Sequence, residues 1–396
     1  MFAYYVIYPR VVRFSYLHPR QAQLRNFQQE PRNLVGQTLP KHRRQVTLSA
    51  LAATRSTLEL EANPNDDYNE LRRRVKAEGL LDARPGYYWA KTALALGTLG
   101  AVITMALLVS SAWMVMLAAV LLGFASTQIA LLSHDVGHRQ GYRGAKTNLI
   151  ARYVFGNVLL GVSHSWWNVK HNQHHATPNH IDLDPDIQFP MIVFRADQIA
   201  TRARWLRPLI AIQAFLFVFL LPFQAINMRQ ASIQHLRTKN AKQPWLQALF
   251  MAVHFGLYAW LLIALGSIPM ALGFFAVHHA VFGLYNSSVF ASNHKGMPLT
   301  DNETRMDFLH EQVLTSRNIR GHWLTDFWYG GLNYQIEHHL FPTMPRLNLA
   351  KAQLLVQELC AQKGIPYHNT GLFEGYRETF SHLHTVSGSL RDGSAA

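Results

Sequence analysis

The chain holds a single cysteine, Cys360, among 396 residues. An internal disulfide and a cysteine-based zinc or iron–sulfur site are therefore excluded. Charge is also scarce. Asp, Glu, Lys and Arg make up 15% of the residues while apolar types reach 49%, and soluble domains carry about 25% charged residues. Acids are the scarcer sign, which leaves a formal charge of +14. Such an excess can mark a nucleic-acid binder, but its placement argues otherwise. Neither 92–133 nor 246–292 contains a charged residue. Each gap is roughly twice the ~20 apolar residues that cross a bilayer, so each predicts a helical hairpin, turning near 110–111 and near 266–269. The start of the chain has no apolar core long enough for a secretory signal. A zinc-protease HExxH is missing too: "HDVGH" has Asp135 after its first histidine.

The expected fold is an all-α integral membrane protein with four transmembrane helices, at about 90–110, 112–133, 246–266 and 268–291, and a cytosolic helical cap. Lys and Arg outside the hairpins then share one side, which the positive-inside rule makes cytoplasmic. A third apolar run, 209–226, is read as interfacial or re-entrant. A crossing there would carry Arg229, Arg237, Lys239 and Lys242 outward and would separate the histidine clusters. Residues 1–45 hold seven Arg, one Lys and one acid, Glu30. They read as a basic extension, either a disordered arm, a transit peptide or the product of a misplaced start, ahead of a domain over 46–396. Residues 65–84 read as a soluble helix ending near Gly79. A tail helix through "LNLAKAQLLVQELCAQKG" should stop at Gly364 and Pro366.

Histidine is what the chain has in excess, with 21 copies. Three clusters lie just beyond the expected spans: His134 and His138; His171, His174 and His175; and "QIEHH", with Gln335, His338 and His339. Residues three and four apart share a helix face, so each cluster aims its rings one way. Seven imidazoles exceed the three or four ligands of one zinc, and two metals fit better. Imidazole alone does not choose among Zn, Cu, Fe and Ni. His42, His254, His310, His382 and His384 read as incidental, and the mid-hairpin pair His278–His279 as a packed polar pair without an assigned role.

The run "HDVGH … WWNVKHNQHH … QIEHHLFPTMPR" resembles the three histidine boxes of the membrane fatty-acid desaturases, from about Tyr68 to about Tyr367. It is most similar to the front-end and bacterial acyl desaturases, whose third box begins with Gln. The resemblance implies an O2-dependent acyl desaturase with two ferrous ions. It implies the ligands His134, His138, His171, His174, His175, His294, His338 and His339, with Gln335 as a weak ligand or the holder of a metal-bound water. Asp135, Asp184 and Asp186 would accept ring N–H bonds, or the last two would shape their loop. His164 and Asn293 complete the surroundings. Trp166, Trp167, Phe290 and Trp323 are candidates for the wall of an acyl tunnel, or else packing residues and interface anchors.

Front-end relatives often carry a fused haem domain marked by His-Pro-Gly-Gly. That motif does not occur here, so the expected electron source is a separate ferredoxin-type or cytochrome-type donor with its reductase, steered by the basic face. The remaining implied partners are a fatty acyl substrate on CoA or lipid, O2 and the bilayer of a bacterial inner membrane, with no nucleic acid. A di-iron lipid hydroxylase or ketolase is the alternative on the same fold. A metal transporter is a more distant one, since it would want ligands inside the spans.

Overall fold

A computed structural model describes residues 65–393. The basic extension and the expected domain start at 46 lie outside these residues. In chain order, α1 (Asp66–Ala77) precedes the long helices α2 (Pro85–Leu108) and α3 (Ala112–Gly137). Next come α4 (Ala145–Arg152), which continues as a π-helical stretch over Tyr153–Leu159, and α5 (His164–Ala176). α6 (Gln213–Leu220) and α7 (Gln224–Leu236) lead to the second long pair, α8 (Pro244–Ala264) and α9 (Ile268–His294). The C-terminal part holds α10 (Phe308–Leu314), α11 (Trp323–Tyr329), α12 (Gln335–Leu340), α13 (Arg346–Lys363) and α14 (Leu372–Val386). The one sheet among the described residues is a parallel pairing of β1 (Asn318–Ile319) with β2 (Asn369–Thr370).

The long helices follow from the uncharged runs. Pro85 and Pro244 open α2 and α8 where a missing N–H costs nothing. The second hairpin turns at Gly266, whose φ of +79° suits a residue without Cβ. The hairpin tips are apolar and open, with Trp113, Ile263 and Ile268 each more than three-quarters exposed. A belt of this kind is the signature of lipid contact. α3 and α9 run past 133 and 291, and those extra turns carry His134, Asp135, Asn293 and His294 out of the apolar layer.

Among the described residues five segments, not four, are long and apolar enough to cross a membrane, the additional one being Gln213–Leu236. It is not one regular helix. A 3-10 turn at Leu221–Phe223, around Pro222, separates α6 from α7. The kinked rod crosses α9 at one level. A Cβ on Gly283 would stand 2.0 Å from the Pro222 carbonyl oxygen, Ser287 Oγ donates to the Leu221 carbonyl, and Arg229 lies over the Phe282 ring. One end is tied to the C-terminal part, where Gln213 donates to the Leu383 carbonyl of α14. The other is tied to the start of α5, where Ser232 Oγ accepts from the Ser163 N–H and His235 bonds Ser165.

α3 and α9 pack along each other, which brings their histidine-bearing ends together. The C-terminal part closes over those ends. The buried Arg317 donates to the Ser292 carbonyl at 2.6 Å and pairs with Glu378 at 2.9 Å, fixing α14 to the end of α9. Beneath it α1, α10, α12 and α13 share a core around Leu71, Val75, Ile336, Leu340 and Val356. The third histidine cluster thus sits on a short helix clamped from several sides.

Candidate metal centre

Four elements converge on one buried region. α3 supplies His134, with His138 as its C-cap. α5 supplies His171, His174 and His175; it starts cleanly because Ser163 Oγ accepts from the Trp166 N–H at 3.2 Å. α12 supplies Gln335, His338 and His339, and α9 ends on His294. The rings divide into two groups. Nitrogens of His134, His138, His171 and His338 lie within 4.8 Å of one another, and so do those of His174, His294 and His339. His175 stands between them. Its Nε2 is 3.1 Å from Nε2 of His171 and of His338, and its ring stacks on His339.

Proton positions decide what the groups can do. In the second group every Nδ1 faces an oxygen. His174 meets Asp184 at 3.0 Å, His294 meets the Thr315 carbonyl at 3.0 Å, and His339 meets Gln312 Oε1 at 2.8 Å. Those Nδ1 atoms carry the protons, so each Nε2 is a bare lone pair. Yet Nε2 of His174 and His294 face each other at 3.3 Å, and Nε2 of His339 is buried with no hydrogen-bond partner. In the first group only His134 repeats the pattern, its Nδ1 meeting Asp135 at 3.3 Å and its Nε2 buried and unpartnered; Nε2 of His138 and His171 stand 2.8 Å apart, and His338 Nδ1 is buried without a partner. Converging lone pairs repel unless a cation lies among them, so the donor set fits two metal ions. Burial, and then the neighbouring rings, hold His138, His171, His175, His338 and His339 well below the ordinary histidine pKa. They are neutral, as ligands must be.

The surrounding residues fix the rings. Asp184 both holds His174 and shapes its loop, accepting the N–H groups of Asn179 and Asp186 at 2.8 Å. Burial alone would raise its pKa, but His174, Lys295 and the Asn179 N–H outweigh that and keep it ionised. Asp186 is farther from His174, at 3.5 Å, and pairs with Lys170. Burial lowers Lys170 and Lys295 to about 8. Asn293 donates both to the Leu332 carbonyl and to Gln335 Oε1, so the Gln335 amide N–H points at His294 Nε2, 2.9 Å away. Gln335 thus turns its amide nitrogen, with its oxygen engaged by Asn293, toward the second group. His164 corrects the expectation placed on it. Its ring lies against Tyr153 at 4.7 Å and bonds none of the clustered histidines, because two helical turns separate it from His171.

Sequence reasoning did not single out Gln312, the Thr315 carbonyl or Arg346. Gln312 is fully buried and also donates to the His175 carbonyl. Arg346 pairs with Asp135 and donates to the Leu131 carbonyl at 2.7 Å, so it clamps the end of α3. The only signal for it was its place in the "PTMPR" flank. Trp167 stacks on His171 at 4.3 Å and stands edge-on to His134 and His138. It fits because residue 137 is Gly: a Cβ there would lie 2.0 Å from the indole. Trp323 is 73% exposed and lines no interior wall.

The model of the fatty acid desaturase family matches residues 111–371. A Delta(8)-fatty-acid desaturase of Euglena gracilis is 34% identical over 330 residues, covering 78% of this chain and 76% of its own. A Delta(5) fatty acid desaturase of Caenorhabditis elegans is 32% identical, with coverage of 83% and 76%. A Delta(6)-fatty-acid desaturase of the same organism is 30% identical, with coverage of 81% and 75%.

Proposed function

The chain belongs to the fatty acid desaturase family, and from that premise we propose that it is a di-iron front-end acyl desaturase working on the cytoplasmic face of a membrane. The observation that carries the reading is the pair of converging sets of histidine ring nitrogens. His134, His138, His171 and His338 hold one iron; His174, His294 and His339 hold the other, with His175 beside both. When bound, the irons supply what side chains lack, the activation of O2 with donor electrons and the removal of two hydrogens from adjacent methylenes, with oxygen leaving as water.

The protein's own part is positional. Asp184, Gln312 and the Thr315 carbonyl fix three tautomers, so the lone pairs are aimed before metal arrives. Arg346 neutralises Asp135 and anchors the first group from below. The Gln335 N–H offers a donor to a small oxygen ligand beside His294. His338 and His339 are shut off from solvent, whereas His171 and His175 are half-buried, so the opening lies on the α5 side. Trp167, stacked on His171, adds apolar surface on that side.

Four helices cross the bilayer in this reading, and 213–236 lies along the interface. Support comes from its single-level crossing of α9 and from the attachment of both its ends to the histidine-bearing side. Electrons come from a separate acidic donor, of ferredoxin or cytochrome type, drawn to the basic face. The deciding experiment is fatty-acid profiling of a host that expresses the protein and is fed saturated and unsaturated chains. A product two hydrogens lighter supports the proposal; a product one oxygen heavier replaces it with a hydroxylase.

A further inference from the structure

His164 is nine-tenths buried, and neither of its ring nitrogens has a hydrogen-bond partner. A neutral imidazole carries one donor and one acceptor, so two polar groups are left unmatched at one residue, a state native proteins rarely keep without a ligand or water. The polar neighbours offer no relief, because they are bonded to each other. Gln247 accepts from Ser163 Oγ at 2.7 Å and donates to Ser165 Oγ at 2.9 Å. Asn157 donates to Gln247 and takes the backbone N–H of His164, not its ring. Burial, and then the charges of Arg152 and Lys242, keep the ring uncharged, at a pKa of about 4. The π-helical turn Tyr153–Leu159 forms the adjacent wall; such turns are frequent at functional sites.

Position adds a length. His164 precedes His171 by two turns of α5, so both rings lie on one face, ~10 Å apart. Trp167 stands between them on the same face. An extended acyl chain covers ~10 Å in about eight carbon–carbon bonds. The relatives are named for positions 5, 6 and 8, which are counted from the carboxyl end.

We propose that His164 donates a hydrogen bond to the carbonyl oxygen of the acyl ester or thioester and so sets where the double bond falls. This rests on the desaturase reading above and adds a residue that measures from the carboxyl end. The cations at Arg152 and Lys242 favour the negative end of a carbonyl dipole at this ring.

The test compares an ester- or thioester-linked chain with the matching ether- or thioether-linked chain, which lacks the carbonyl. The full-length protein in proteoliposomes is used, and both the rate and the double-bond position are read. The wild type should prefer the carbonyl-bearing chain by about tenfold in kcat/KM, the value of one buried hydrogen bond. His164→Leu should bring that preference below about twofold and spread the double bond over neighbouring positions. His164→Gln keeps a donor and should retain a single main product. Iron content, measured in parallel, should match the wild type in both variants. An unchanged preference and a single double-bond position in His164→Leu overturn the proposal, as does a wild type indifferent to the carbonyl, the result expected if only water occupies the site. If the wild type desaturates neither chain, the desaturase reading itself fails.

Discussion

α9 carries two sets of histidines along one helix, and they behave in opposite ways. His278 and His279 lie in its middle. His278 Nδ1 meets the Tyr258 hydroxyl at 2.8 Å and its Nε2 meets Ser126 Oγ at 3.2 Å. His279 Nδ1 meets the Phe275 carbonyl, and the nearby His254 meets the Val158 carbonyl, each at 2.9 Å. These rings bond outward to oxygen. His294, at the end of the same helix, bonds outward only through Nδ1, and its Nε2 faces other nitrogens. Crowding of histidines therefore does not identify a metal centre. The destination of the second nitrogen does.

The largest effect should follow from removing a ring whose lone pair has no alternative partner. His174→Ala is expected to bring iron from about two to about one per chain, measured by elemental analysis, and to abolish product. Loss of an anchor behind a ring should be milder. Asp184→Asn frees the His174 tautomer and should weaken metal affinity by about 10–100-fold, read from retention of iron against a chelator. An unchanged retention would mean that the Asp184 contact only shapes the loop.

Gln335 sharpens the comparison further. Gln335→Ala removes the amide N–H aimed at His294 and strands the Asn293 donor, so turnover should fall sharply while most of the iron stays. Gln335→His restores the pattern of the second cluster. It should hold at least as much iron as the wild type and turn over more slowly, because a stronger, rigid ligand replaces a hydrogen-bond donor. A faster Gln335→His enzyme would show that the third cluster is a degraded copy of the second. The smallest functional effect belongs to the mid-helix set. His278→Phe should leave iron content and product intact and should lower stability by about 1–3 kcal/mol, since Tyr258 and Ser126 lose a buried partner. Loss of iron in this variant would erase the distinction between the two sets.

Much of this arrangement was legible in the residues. Spacing of three and four placed each cluster on one helix face, and the uncharged runs marked α2, α3, α8 and α9. What stayed hidden has a physical reason. His294 is held by a main-chain carbonyl at Thr315, and a carbonyl leaves no trace in side-chain pattern. Gln312 and Arg346 act across the fold from isolated positions, so no periodicity points to them. The apolar run 209–226 marks only the first part of the 213–236 segment, because a turn at Leu221–Phe223 joins it to a more polar helix that ends at Leu236. The motif left Gln335 with two roles, weak ligand or holder of a metal-bound water, because the direction of its amide is set from outside the motif, by the donation of Asn293 to its oxygen.

The most direct test of the two-group account is the metal content of the detergent-purified, active protein. Two separate sets of converging ring nitrogens predict about two irons per chain, with activity rising and falling with that number on removal and return of iron. One tightly bound zinc per chain, with full activity in the absence of iron, would contradict it.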